Sequence, residues 1–167
     1  MTKILFVCLG NICRSTMAEY VMRHLVRERG LEGQIIADSA GTSTEELGNP
    51  VHPGTQRVLA AHGIACGNHW ARQMTRADYR KYDLLIGMDE GNLSSMVRLL
   101  AGGSGWSWRP VSEGERRKAD PEGKLHLLLD WTDDPRDIAD PWYTHDFDTT
   151  FADVMCGCQA LLDALTE

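Results

Sequence analysis

No apolar run in the 167-residue chain approaches the eighteen or so residues of a membrane-spanning helix. The first residues lack the basic segment, apolar stretch and cleavage site of a secretory leader. Cysteine occurs five times, an odd number at irregular spacing, so no disulfide framework is expected. These absences lead to the expectation of a cytoplasmic protein without a membrane partner. Basic residues are not in excess either. The net charge of −7 disfavours nucleic acid as a partner. It does not disfavour a phosphate group held in one small positive pocket, because a local field can oppose the global one. There is no internal repeat. What is present is ordinary: 43% hydrophobic and 25% charged residues, over a length that suits a single domain, 1–167, with a substantial core.

One stretch departs from the ordinary. Residues 3–7 form a continuous apolar run after one lysine, as a strand buried on both faces would. A short loop follows, bracketed by Cys8 and Arg14. Gly10 and Asn11 tolerate positive φ, so the backbone can curl there. Ser15 or Thr16 can cap the next helix, and Thr16 with Glu19 fits a capping box. A loop curled in this way turns successive N–H groups inward, beside a helix N-terminus. Leu9, Gly10, Asn11, Ile12, Cys13 and Ser15 would then line an anion seat. Arg14 adds a planar fork suited to two phosphate oxygens. Cys8 would sit at the floor, its thiolate favoured by the amides and the guanidinium.

The remaining chain alternates strands and helices. Helices are expected over 16–29, from Pro53 to His62, after Thr75, over 90–100 and over 147–165. Further strands are expected over 34–38, 83–88 and 125–129. Residues 101–124 show no clear period and read as a long exposed loop. Strands separated by helices predict a parallel sheet with right-handed crossovers and helices on both faces. Ligands in such sheets bind beyond the carboxyl ends of strands, which is where the Cys8 loop falls.

The segment Cys8-x-Gly10-Asn11-x-Cys13-Arg14-Ser15 after an apolar strand resembles the low-molecular-weight protein tyrosine phosphatases. Thr16 stands where that family usually has proline. The resemblance implies a flavodoxin-like three-layer α/β sandwich with a four-stranded sheet in the order 2-1-3-4. It implies a protein-tyrosine-phosphatase, a phosphoric monoester hydrolase that works through a phosphocysteine, with no metal and no cofactor. Its partners would be a phosphotyrosine protein or peptide and the phosphate product.

Expelling an aryl leaving group is easier when an acid protonates it. Three Asp-Pro pairs are available, at Asp120, Asp134 and Asp140, and composition does not choose among them. The family places its acid in an Asp-Pro-aromatic-aromatic motif before the last helix. By resemblance that acid is Asp140, with Trp142 and Tyr143 walling the cleft. Thr144 replaces a common glycine. The family also joins a serine and a histidine to the loop, which carries over as a network of Asn11, Ser15, Ser39 and His69. Arg72 and Asp89 lie in similar segments, and Asp89 would orient Arg14 or Arg72 or simply end a strand. Glu45 occupies a place where many members carry an aromatic flanking the substrate. A carboxylate there would repel acidic peptides.

Rival readings stay in view. A protein arginine phosphatase shares the pattern, but Ile12 resembles the tyrosine-directed branch rather than the threonine of the arginine branch. A thiol-dependent arsenate reductase needs resolving cysteines after the third strand, and residues 82–100 contain none. A non-catalytic phosphate-binding module would not need Cys8 and Asp140. A metal site from Cys8, Cys13, Cys156 and Cys158 lacks paired C-x2-C spacing. Cys8 and Cys13 share one small loop, so oxidation would pair them.

Overall fold

In the computed structural model, which describes residues 1–167, the chain forms four strands and seven helices. The strands are β1 (Thr2–Cys8), β2 (Ile35–Gly41), β3 (Leu84–Gly87) and β4 (Leu125–Leu127). They make one parallel sheet in the order β2-β1-β3-β4. The expected order and fold class are therefore present.

Strand β1 lies in the middle of the sheet and is covered on both sides, which explains its unbroken apolar run. Ile4, Phe6 and Cys8 face one core with the helices α1 (Arg14–Glu28), α2 (Pro53–Ala61) and α7 (Phe147–Thr166). Leu5 and Val7 face the other. There they meet α3 (Arg76–Lys81), α4 (Glu90–Leu100) and α5 (Glu113–Ala119). The period-2 alternation of a strand thus feeds two cores at once.

Three local expectations need correction. Residues 101–124 are not one loop, because 113–119 form α5. Ser112 caps it by accepting the Glu115 amide at 3.1 Å. The helix escapes a periodicity search because none of its residues is buried. The Thr16–Glu19 capping box does not form. Helix α1 starts earlier, at Arg14, and Thr16 Oγ1 donates to the Cys13 carbonyl while Glu19 turns to Ser39. Strand β4 ends at Leu127, where residues 128–131 tighten into a 3-10 turn. Of the two loop residues that tolerate positive φ, Asn11 is the one that adopts it, at 60°. The short helix α6 (Pro141–Thr144) was not expected, although Asp140 before Pro141 is a good start signal.

Candidate active site

The loop after β1 is held from outside by its carbonyls. The Cys8 carbonyl accepts the Thr42 amide at 2.9 Å. That of Leu9 accepts Ser43 N at 3.0 Å, and that of Ile12 accepts His52 N at 2.9 Å. The Asn11 carbonyl lies 2.7 Å from His69 Nε2. The Cys13 carbonyl takes Met17 N at 3.1 Å and Thr55 Oγ1 at 3.3 Å. In a planar trans peptide the N–H points opposite to the C=O. Carbonyls tied outward therefore aim the following amides inward, toward the Cys8 sulfur. Helix α1 begins at this rim and adds its own first amides.

Asn11 is the keystone of the curl. It is fully buried at positive φ, a conformation asparagine tolerates better than most residues. Its Nδ2 donates to Ser15 Oγ at 3.0 Å and Ser39 Oγ at 2.9 Å, and its Oδ1 accepts the Arg72 amide at 3.0 Å. Ser39 in turn donates to Glu19 Oε2 at 2.6 Å. Burial pushes the Glu19 carboxyl above its ordinary value, against the opposing pull of the Ser39 bond and Arg23. Ser15 Oγ also sits 3.1 Å from Cys8 Sγ.

Arg14 is only 2% exposed. Its Nη1 donates to Asp89 Oδ2 and to the Ile138 carbonyl, both at 2.7 Å, and Nη2 reaches Asp140 Oδ2 at 3.3 Å. Burial alone would lower its proton affinity. The negative charge of Cys8, Asp89 and Asp140 outweighs that, and the guanidinium is held above its ordinary value. Burial pushes the Cys13 thiol up to about 12, with the adjacent Cys8 adding to the effect. Cys13 is accordingly a neutral thiol at ordinary pH.

A cavity of about 100 Å³ opens above the loop. Cys8, Leu9, Gly10, Ile12 and Cys13 form its floor, and Asp140, Trp142 and Tyr143 one wall. Ser43, Glu45 and Glu46 form the opposite rim. The lining offers room for a small anion at the loop and apolar contact for an aromatic body at Trp142 and Tyr143.

The family model described as low molecular weight phosphotyrosine protein phosphatase matches residues 3–104. The chain belongs to this phosphatase family. The protein-tyrosine-phosphatase YfkJ of Bacillus subtilis is 39% identical over 169 residues, covering 100% of this chain and 97% of YfkJ. The Gallus gallus low molecular weight phosphotyrosine protein phosphatase is 38% identical over 96% of this chain and 93% of its own. The solved structure of YfkJ matches with a TM-score of 0.82 over 99% of this chain and 95% of that one. A Drosophila arginine phosphatase, DARP, gives a TM-score of 0.81 at 27% identity, covering 99% of each chain.

As a member of this family, the chain brings most of the expected residues together. Cys8, Arg14 and Asp140 converge, although Asp140 is 126 positions from Arg14. The three Asp-Pro pairs part company. Asp120 is consumed by Tyr79 Oη and the Lys124 and Leu125 amides at the start of β4. Asp134 pairs with Arg136 in solvent. Only Asp140 lines the cavity. Of the roles offered for Asp89, the structure has its Oδ2 on Arg14, not Arg72, while its Oδ1, just past the end of β3, accepts the Asn92 amide at 2.7 Å as the cap of α4. The Arg72 guanidinium lies elsewhere, bidentate on Asp78 at 3.0 and 3.1 Å, and only its amide serves the loop.

Sequence reasoning missed Glu19, Glu46, Ser43, His52 and the Ile138 carbonyl. Glu19 sits in the T-x-x-E pattern that suggested a cap instead. Glu46 is beside Glu45, and a Cβ on Gly10 would stand 3.2 Å from its Cγ, so glycine gives the rim its room. His52 accepts the Gly54 amide at 2.9 Å as the cap of α2. Its ring stacks on Phe147 and meets Trp142 edge-on.

Proposed function

We propose that residues 1–167 act as one phosphatase domain that hydrolyses phosphotyrosine in proteins or peptides. The observation that carries the mechanism is the set of outward-tied loop carbonyls, which leaves a ring of amides around one sulfur. The Cys8 thiolate attacks phosphorus in line while the amides and Arg14 hold the three equatorial oxygens. The S–P bond forms as the P–O bond to the phenol breaks. Asp140 gives its proton to the departing oxygen. Water then attacks the phosphocysteine, Asp140 takes a proton from it, and phosphate leaves with the thiolate restored. No metal or cofactor enters this scheme.

Asn11, Ser15, Ser39 and His69 serve by keeping the loop curled before substrate arrives. Asp89 and the Ile138 carbonyl aim the Arg14 fork. Trp142 and Tyr143, 50% and 72% exposed, flank the phenyl ring. Glu45 and Glu46 opposite them disfavour acidic residues next to the phosphotyrosine.

Tyrosine rather than arginine as the phosphate carrier is supported by Ile12 in the loop and by the names of the sequence relatives given above. The five free thiols support a reducing, cytoplasmic setting. The test is a turnover panel of phosphotyrosine peptides, phosphoarginine, and arsenate with thiols, with mass spectrometry of the quenched reaction. Phosphotyrosine turnover with phosphate trapped on Cys8 is expected. Preference for phosphoarginine, or phosphate on no cysteine, overturns the reading.

A further inference from the structure

Away from the cavity, α3, the end of α4 and α5 enclose an open groove of about 1120 Å³. Its sides carry Arg76, Arg80, Lys81 and Lys118, facing a single carboxylate, Glu115. Arg76 and Arg80 are one helical turn apart, so both project from the same face of α3. Its lining also includes the apolar residues Leu100, Ala101, Ala77, Ala119 and Pro121. This is a concentration of positive charge on a chain whose net charge is −7.

The fold leaves these four cations without carboxylate partners, since none takes part in the ion pairs of the chain, although Lys81 lies over the Tyr82 ring at 5.1 Å. The carboxylates nearest in sequence are committed elsewhere. Asp78 holds Arg72 and caps α3. Asp120 is turned into β4 by three donors. Glu115 is shared with Arg109 at 3.6 Å. The groove thus presents a positive field that no carboxylate answers, beside an apolar lining.

We propose that this groove docks an acidic, amphipathic segment of a partner protein. Carboxylates along one edge of such a segment would answer the cations, and its apolar residues would cover the apolar lining. The groove exceeds the usual size of a small-molecule pocket, roughly 300–1,000 Å³. A groove enclosed by three helices does not match a flat lipid surface. A single-stranded nucleic acid would want exposed aromatic platforms. The one tyrosine here, Tyr79, is tied by its hydroxyl to Asp120 and Glu122 N. The sign is also opposite to that of the catalytic rim at Glu45 and Glu46, so the two surfaces select different stretches of chain. The groove and the cavity are joined by chain: Arg76 and Ala101 border the groove, and Gly105 packs against the Thr42 carbonyl, one residue from Ser43 of the cavity rim.

The test uses the full chain and three labelled probes: a twelve-residue Asp/Glu peptide containing two leucines, a dT oligonucleotide, and vesicles containing phosphatidylserine. Fluorescence anisotropy, and sedimentation for the vesicles, compare the wild type with R80E/K118E. Turnover of p-nitrophenyl phosphate is expected to be unchanged in the variant, which certifies its fold. The peptide is expected to bind, more weakly as salt rises, and the double variant to lose on the order of tenfold in affinity. Absence of peptide binding overturns the proposal, as does binding the variant retains in full. Tighter binding of oligonucleotide or vesicles with the same loss in the variant overturns it in favour of that partner. If the variant also loses turnover, R80Q/K118Q replaces it and the same outcomes decide.

Discussion

The Asp140 carboxylate is held between two partners: its Oδ1 accepts the Trp142 amide at 3.0 Å and its Oδ2 lies 3.3 Å from Arg14 Nη2. One bond starts helix α6, and the other ties the carboxylate to the guanidinium that borders the anion seat.

Asp140→Asn is expected to slow turnover about a hundredfold or more, the usual cost of a lost general acid. Asparagine keeps the cap on α6, so stability should change little. Asp134→Asn, in solvent beside Arg136, should leave kcat close to that of the wild type. Steady-state kinetics on p-nitrophenyl phosphate decide between the two.

Cys8→Ser is expected to abolish turnover while vanadate still binds, because the seat is built from main-chain amides and Arg14. Calorimetry on the variant checks the second half. Loss of anion binding would mean that the sulfur itself organises the seat.

Asn11→Ala removes two buried hydrogen bonds and one partly buried one, and puts alanine at positive φ. A loss of roughly 2–4 kcal/mol is expected from the bonds alone. Denaturant unfolding measures that. Kinetics should show a fall in kcat/KM beyond any effect of unfolding, since the loop no longer arrives curled.

Glu19 sets a dependence of stability on pH. Its folded carboxyl titrates above the unfolded one because burial disfavours the charge. Between those two values the folded state binds more protons, so stability falls as pH rises through that window. Glu19→Gln keeps an acceptor for Ser39 and has no charge to bury. Thermal unfolding from pH 4 to pH 8 is expected to show less of this decline in the variant than in the wild type.

How much of this was legible beforehand follows the range of the interactions. The Cys8–Ser15 loop is local: residue types, spacing and the apolar strand before it all point the same way. The central position of β1 was readable because burial on both faces leaves a continuous apolar run. The choice of Asp140 over Asp120 and Asp134 was not, except through family likeness, because it depends on a contact across 126 positions. Glu19 was misread for the same reason. Its pattern suits a local cap, and a long-range bond to Ser39 took it. Helix α5 was invisible because a wholly surface helix has no apolar stripe, and its capping serine is a weak cue on its own.

Strand β4 contributes only three residues to its edge of the sheet before the chain tightens and leaves; the opposite edge is β2. Lys124 stands at its entrance, and the ring of His126 rests on Trp131 at 5.0 Å. A second molecule seeking to extend the ladder at β4 would find few open rungs. Copies of this chain at high concentration are thereby discouraged from pairing through this edge.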